Sequence, residues 1–140
     1  MAAEYTITHD KGTTFKFHAL YKSSTGEAID LAGQSGRMQV RRSPDDTQLT
    51  LFITGSGVTN GGSTGEFTIG AGISGSGGIT LNGSNAGAAG TTGGIYVEFD
   101  AVSSSHLPTG RMFYDFELVN GEEVTRLLQG RFEATANITR

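Results

Sequence analysis

A chain of 140 residues with 22 glycines, two prolines and a net charge of −4 is poorly suited to long helices, because each glycine costs about 1 kcal/mol relative to alanine inside one. The absence of cysteine excludes disulfides and thiolate metal sites, and ten lysines and arginines scattered thinly along the chain leave no basic footprint for nucleic acid. The length suits a single domain over residues 1–140, large enough to bury most of its apolar surface unaided.

The opening MAAEYTITHDKG has no apolar run of signal-peptide or membrane-spanning length, which predicts a chain kept in a cytoplasm-like solvent with no membrane partner. Apolar alternation begins in EYTITHD, where Tyr5 and Ile7 share a side. It continues in FKFHALYK, where Phe15, Phe17, Ala19 and Tyr21 oppose Lys16, His18 and Leu20. The polar cluster HDKGTT between these segments contains Gly12 and predicts a reversal, hence a first hairpin. SSTGEAIDLAG then reads as a turn around Gly26 leading into a short strand with Ile29 and Leu31 on one face.

RMQVRRS is a strand with Met38 and Val40 inward and Arg37, Gln39 and Arg41 outward, followed by turn chemistry at Pro44 and Asp45. TQLTLFIT alternates Leu49, Leu51 and Ile53 with Thr50, Phe52 and Thr54. Residues 55–94 hold fifteen of the glycines and form a long Gly-rich insertion of loops or arms. Two islands within it keep the strand pattern, GEFTIGA at Phe67 and Ile69 and GITLNG at Ile79 and Leu81. A domain linker is the competing reading, but the residues that follow complete one sandwich better than they make a second domain.

IYVEFDAV alternates Ile95, Val97 and Phe99 with Tyr96, Glu98 and Asp100, and SSSHLPTG connects it to RMFYDFELVNGEEVTRLLQG, a hairpin turning near Asn120-Gly121. A two-residue turn at that pair would set Asp115 opposite Arg126. A loop over NGEE would set Glu117 opposite Arg126 and Phe116 opposite Leu127. The second register is preferred, because it collects Met112, Tyr114, Phe116 and Leu118 with Leu127 on one buried face. RFEATANITR makes a final strand. Eight to ten strands and no helix predict an all-β fold, an antiparallel β-sandwich, wound as a meander with one crossing between its sheets.

Candidate chemistry is sparse. His9, His18 and His106 lie in three separate segments, with no spacing that puts two on one ligand face, so no metal site is expected. Asp45-Asp46 could offer oxygens to calcium but lacks the acidic ladder and closing glutamate, and reads as a capped turn. Asp115 and Glu117 alternate at a spacing a glycosidase could use, yet each can face an arginine across the hairpin, which favours an ion pair. The glycine runs GSGVTNGG, GSGG and GAAGTTGG lack the Lys-Ser or Lys-Thr and the helix of a phosphate loop. No histidine is placed in the sequence to activate a serine. The reading is therefore no catalytic, cofactor-binding or metal-binding residue, and no enzyme.

The segments GEAIDLAGQSGRMQVRRSP, GGITLNG and LPTGRMFYDFELVNGEEVTRLLQGRFEATANITR together resemble a family of small virion structural proteins of tailed bacteriophages. That family carries an "IDLTG"-like strand, an "ARMQVR"-like strand, a "GGIT" segment, an "LPAG" turn and a "YDLEL…VTRLLQG" hairpin. The matches are Ile29 to Leu31, Arg37 to Arg41, Gly78 to Thr80, Leu107-Pro108, Gly110, Tyr114-Asp115, Glu117-Leu118 and Thr125 to Gly130. The resemblance implies an immunoglobulin-like or related sandwich, similar to the amino-terminal domains that attach baseplate or fibre-carrying proteins to a phage tail. No catalytic residue travels with it.

The expected role is then a non-enzymatic virion part at the baseplate or tail-fibre junction, assembled in the host cytoplasm and working as a homo-oligomer that joins other virion proteins. A capsid decoration protein or a neck or collar component is the alternative within that class. A carbohydrate-binding module for host attachment is the rival of another class, opposed by the lack of tryptophan and by only four tyrosines.

Overall fold

Short runs with alternate apolar residues can share a dry interior only if their inward faces meet, and two sheets provide that meeting. The computed structural model describes residues 3–43, 45, 50–56, 67–69, 77–84 and 90–136. Among the described residues the strands are β1 (Ala3–Glu4), β2 (Ile7–Asp10), β3 (Phe15–Leu20), β4 (Ser35–Arg41), β5 (Leu51–Ser56), β6 (Phe67–Ile69), β7 (Gly77–Leu81), β8 (Gly94–Phe99), β9 (Gly110–Asn120) and β10 (Glu123–Thr135). The large sheet runs in the order β1-β10-β9-β4-β5-β6, with β2 following β1 along the β10 edge, and the small sheet runs β3-β8-β7.

This is the strand order of a variable-type immunoglobulin sandwich: β3, β8 and β7 stand where strands B, E and D do, and β10, β9, β4, β5 and β6 where G, F, C, C′ and C″ do. The expected all-β sandwich is thus present, but its path differs from a meander with one crossing. The chain changes sheet at β2 to β3, β3 to β4, β6 to β7 and β8 to β9. The segment around Gly12, with φ of 88°, is accordingly a corner between sheets and not the turn of a hairpin.

Neither β1 nor β2 pairs with β3. Both run parallel to β10 in one continuous register, Ala3 opposite Leu128 and Ile7 opposite Phe132. The break at Tyr5 and Thr6 turns Tyr5 out to 53 % exposure while Ile7 goes into the core. Its ring leans on Phe17, with centroids 5.7 Å apart.

From the large sheet the core takes Met38, Val40, Leu51, Ile53, Met112, Tyr114, Phe116, Leu118 and Phe132, and from the small sheet Phe15, Ile79, Leu81, Ile95, Val97 and Phe99. Phe15 and Phe99 stack at 4.7 Å, and each such ring contributes about 1.5–3 kcal/mol by leaving water. Two residues from connections close the interior: Leu31 between β3 and β4, and Leu107 between β8 and β9, both fully buried. Leu31 and Ile29 do not form the expected strand. Lys22 and Ala28 make one isolated bridge, and Leu31 is held instead through its amide.

That amide donates to Asn82 Oδ1 at 3.0 Å, and the same oxygen accepts from Gly93 N–H at 3.1 Å. Asn82 Nδ2 donates to Asp30 Oδ1 at 2.8 Å, and the Asn82 carbonyl accepts from Gly90 and Thr91. A buried side chain at φ of 59° thus ties the β7–β8 connection to the β3–β4 connection. The Asp30 carboxyl is held below its usual pKa by the N–H of Ala32 and by this amide.

The opposite end of the small sheet is closed by a single helical turn, α1 (Ala101–Ser104), where Asp100 caps the N-terminus by accepting from Ser103 N–H at 2.8 Å. This turn was not expected from the sequence. It delivers the fully buried Ser104 to His9, with His9 Nε2 2.7 Å from Ser104 Oγ. Ser104 Oγ also accepts Gly12 N–H at 3.0 Å.

Burial holds the His9 pKa below the usual 6.5, against the pull of Asp10 and the Thr13 backbone. The unfolded chain binds this proton more readily, so the stability contributed by neutral His9 is complete above pH 6.5 and is lost as pH falls below it. Thermal melts of the natural chain should therefore drop more steeply from pH 7 towards pH 5 than those of His9→Phe. Parallel curves would contradict the assignment.

Candidate binding face on the large sheet

The residues read as outward in β4 line up with outward residues of β9 and β10, because β9 lies between the two strands. Three rows result. Arg41, Phe113 and Arg131 form one; Gln39, Asp115 and Gln129 the next, extended by Glu4 of β1; Arg37, Glu117 and Arg126 the third. The last row depends on the hairpin register. Glu117 faces Arg126 as preferred from the sequence, with Gly121 and Glu122 at the turn and Asn120 closing against Glu123. Gly121 has φ of 62°, the glycine-first arrangement of a type II′ turn, while Asn120 stays out of the left-handed region.

Beyond Arg126 the pairing shifts by one, so Leu128 and not Leu127 faces Phe116, and Leu127 becomes the extra residue of a bulge. Leu127 still packs partly buried against the core. The shift places Gln129 opposite Asp115.

In this ladder Glu117 is clamped between Arg37 Nε at 2.7 Å and Arg126 Nη2 at 3.7 Å, while Arg126 Nε also reaches Asp115 at 3.3 Å. Both acids are thus ion-paired, as expected, and Arg126 serves both. Burial raises the Asp115 pKa, helped by the Glu117 charge, while Arg126, Arg37 and Arg41 act the other way. A half-buried carboxylate that costs desolvation lies at the floor of a groove of about 470 Å³, lined also by Arg41, Arg131, Gln39 and Gln129.

Tyr114 and Gly130 hold the groove's margin. The Tyr114 hydroxyl donates to the Tyr5 carbonyl at 2.8 Å, and burial pushes this phenol up to about 12, with Tyr5 and Glu4 adding to the shift. That carbonyl rests against Gly130, where a Cβ would overlap it. The β1 segment is thereby fixed beside β10, and Glu4 Oε1 accepts from Gln129 Nε2 at 2.8 Å.

The other candidates are dispersed. His9 is in the aromatic cage, His18 Nε2 is 2.9 Å from the Gly83 carbonyl oxygen, and His106 is exposed after α1. Among the described residues no three of His, Asp or Glu are grouped to hold a metal. Asp45 is exposed, its N–H donating to Ser43 Oγ at 3.3 Å, whereas Pro44 and Asp46 lie outside the described residues. So do residues 57–62 of GSGVTNGG and 87–89 of GAAGTTGG, while Gly77 and Gly78 of GSGG belong to β7.

The sequence placed no histidine to activate a serine, and the structure brings His9 within 2.7 Å of Ser104, a contact the sequence did not announce. It went unseen because 95 residues separate the two. Ser104 has no exposed surface, so the pair as folded locks a corner.

Fold and face together define an immunoglobulin-type sandwich with its charged, concave feature spread over a sheet. A scan against protein-family models found no match, and a search of curated proteins likewise found none.

Proposed function

We propose that the chain is a non-enzymatic structural protein of a tailed bacteriophage particle, joining virion components at the baseplate or tail-fibre junction as a homo-oligomer. The support is the sequence resemblance, taken together with where its residues fall. Leu31 and Leu107 close the core, Met38, Val40 and Ile79 build it, and Gly130 seats the amino-terminal strand. Asp115, Glu117 and Arg126 make the outer ladder. The matched positions thus specify a sandwich and one sheet surface, which suits a part that works by docking.

The observation that carries the reading furthest is the composition of that surface. Arg37, Arg41, Arg111, Arg126 and Arg131 share the outer face of β4, β9 and β10, with half-buried Phe113 among them and no lysine. Arginine and aromatic residues are enriched, and lysine depleted, where protein surfaces meet.

Immunogold electron microscopy with antibodies against the chain, on tailed particles from a culture that encodes it, tests the proposal. Gold at the tail end is expected. Gold over the capsid lattice would move the chain to capsid decoration, and purified particles without label would overturn the virion reading.

A further inference from the structure

In the small sheet β3 pairs with β8 on one side, and among the described residues no strand pairs with its other side. Tyr21 N–H donates to the Gly93 carbonyl at 2.8 Å, one step beyond the pairing of Leu20 with Gly94. Opposed residues of an antiparallel ladder exchange hydrogen bonds at every second pair. Phe15, Phe17 and Ala19 therefore bond β8, while Lys16, His18 and Leu20 turn their N–H and C=O groups to the open edge. Apolar side chains along that edge are incompletely covered. Leu20 is 49 % exposed, and Phe17 and Ala19 of the inner face are only half-buried, with the exposed Tyr5 ring against Phe17.

We propose that the β3 edge pairs antiparallel with the β3 edge of a second copy of this chain, about a two-fold axis at His18, joining two three-stranded sheets into one. The inference takes from the reading above only that the chain forms a homo-oligomer, and it names the surface that joins the copies.

The register selects this occupant. With the axis at His18, that residue faces the partner's His18 and Lys16 faces the partner's Leu20, so all three outward residues exchange hydrogen bonds across the axis. An axis at Phe17 or Ala19 would leave Leu20 or Lys16 facing a residue outside β3. The chosen register sets no lysine against a lysine, places Phe17 opposite the partner's smaller Ala19, and lays the Lys16 stem over the partner's Leu20. Lys16 is also the only charge guarding this edge, which holds no proline or glycine. A strand of another protein could take the same hydrogen bonds, but it would not make self-association depend on the charge at residue 20.

The test uses the full chain labelled with ¹⁵N, followed by sedimentation equilibrium and amide exchange at low salt from about 10 μM to about 1 mM, the range of a small interface. A monomer–dimer equilibrium is expected, with the Lys16, His18 and Leu20 amides gaining protection as concentration rises and the Phe17 and Ala19 amides protected throughout. Leu20→Glu, which sets a carboxylate opposite the partner's Lys16, should dimerise about tenfold more tightly than Leu20→Lys, and salt should narrow the gap. General repulsion in a chain of net charge −4 would order the two variants the other way. Both should melt like the natural chain, because the side chain they replace is exposed.

A chain that stays monomeric, with these amides exchanging freely, would leave the edge to another protein and overturn the proposal. Protection at every concentration would give the edge to a segment of the chain itself, and overturn it equally. A dimer with these amides unprotected, or with the two Leu20 variants equal, would place the contact elsewhere and do the same. None of these outcomes bears on whether particles carry the chain, which the gold labelling decides separately.

Discussion

Asn82→Ala is expected to lower the melting temperature by on the order of 12 °C, the largest loss among single substitutions away from the aromatic core. Two buried backbone N–H groups, of Leu31 and Gly93, lose their acceptor together, and each unsatisfied buried donor costs about 1–3 kcal/mol. Alanine must also occupy φ of 59°, which adds about 1–2 kcal/mol for a residue with an ordinary Cβ. The sum, about 3–8 kcal/mol, is a large part of the roughly 5–15 kcal/mol that holds a typical domain together.

Controls separate the contributions. Asn82→Gly relieves the backbone and keeps the orphaned amides, so it should recover only the smaller part. Asn82→Asp keeps the acceptor but sets a carboxylate in place of the amide that donates to Asp30. It should melt below the natural chain at neutral pH and approach it as the acids protonate. Calorimetry on the four proteins is sufficient, and an alanine variant within about 3 °C of the natural chain would show that Asn82 does not join the two connections.

Gly130→Ala should detach the amino-terminal strand. An added Cβ would overlap the Tyr5 carbonyl, a backbone atom that cannot swing aside as a side-chain tip could. Moving it breaks the Tyr114 hydroxyl bond at 2.8 Å and the Tyr5 N–H bond to the Gln129 carbonyl at 3.0 Å. A cost of about 3 kcal/mol is expected, the upper range for forcing extra volume into a closed contact.

Hydrogen exchange is the direct readout: the Tyr5 amide should lose protection in the variant while amides of β8 keep theirs, because β8 lies in the other sheet. Unchanged protection at Tyr5 would contradict the close approach.

Period-two alternation made the strands legible. Met38 and Val40, Leu51 and Ile53, and Ile95, Val97 and Phe99 are buried as their spacing requires. The pairing of Glu117 with Arg126 was legible too, from burial alone, because either alignment offered an ion pair. The bulge was not, since Leu127 is apolar like its neighbours and nothing in composition marks it as the extra residue.

The corner at Gly12 has the residues of a hairpin turn. What makes it a corner is the pairing of β2 with β10, held at Asp10 by Thr135, 125 residues away. Helix α1 left one local sign, Asp100 before a serine-rich run, but a single turn is too short to show a helical period. The outer face was half legible: Arg37, Gln39 and Arg41 were read as outward, yet only the lateral order β4-β9-β10 reveals that Arg131 completes their surface.

Backbone proton contacts across strands test the strand order on which both the groove and the proposed docking role depend. Nuclear Overhauser effects should join β2 to β10 in parallel, Ile7 with Phe132, and β9 to both β4 and β10, Met38 with Phe116 and Tyr114 with Gly130. A ladder of such effects between β2 and β3 across Gly12, with the β10 edge left unpaired, would contradict the fold and dissolve the arginine-rich face.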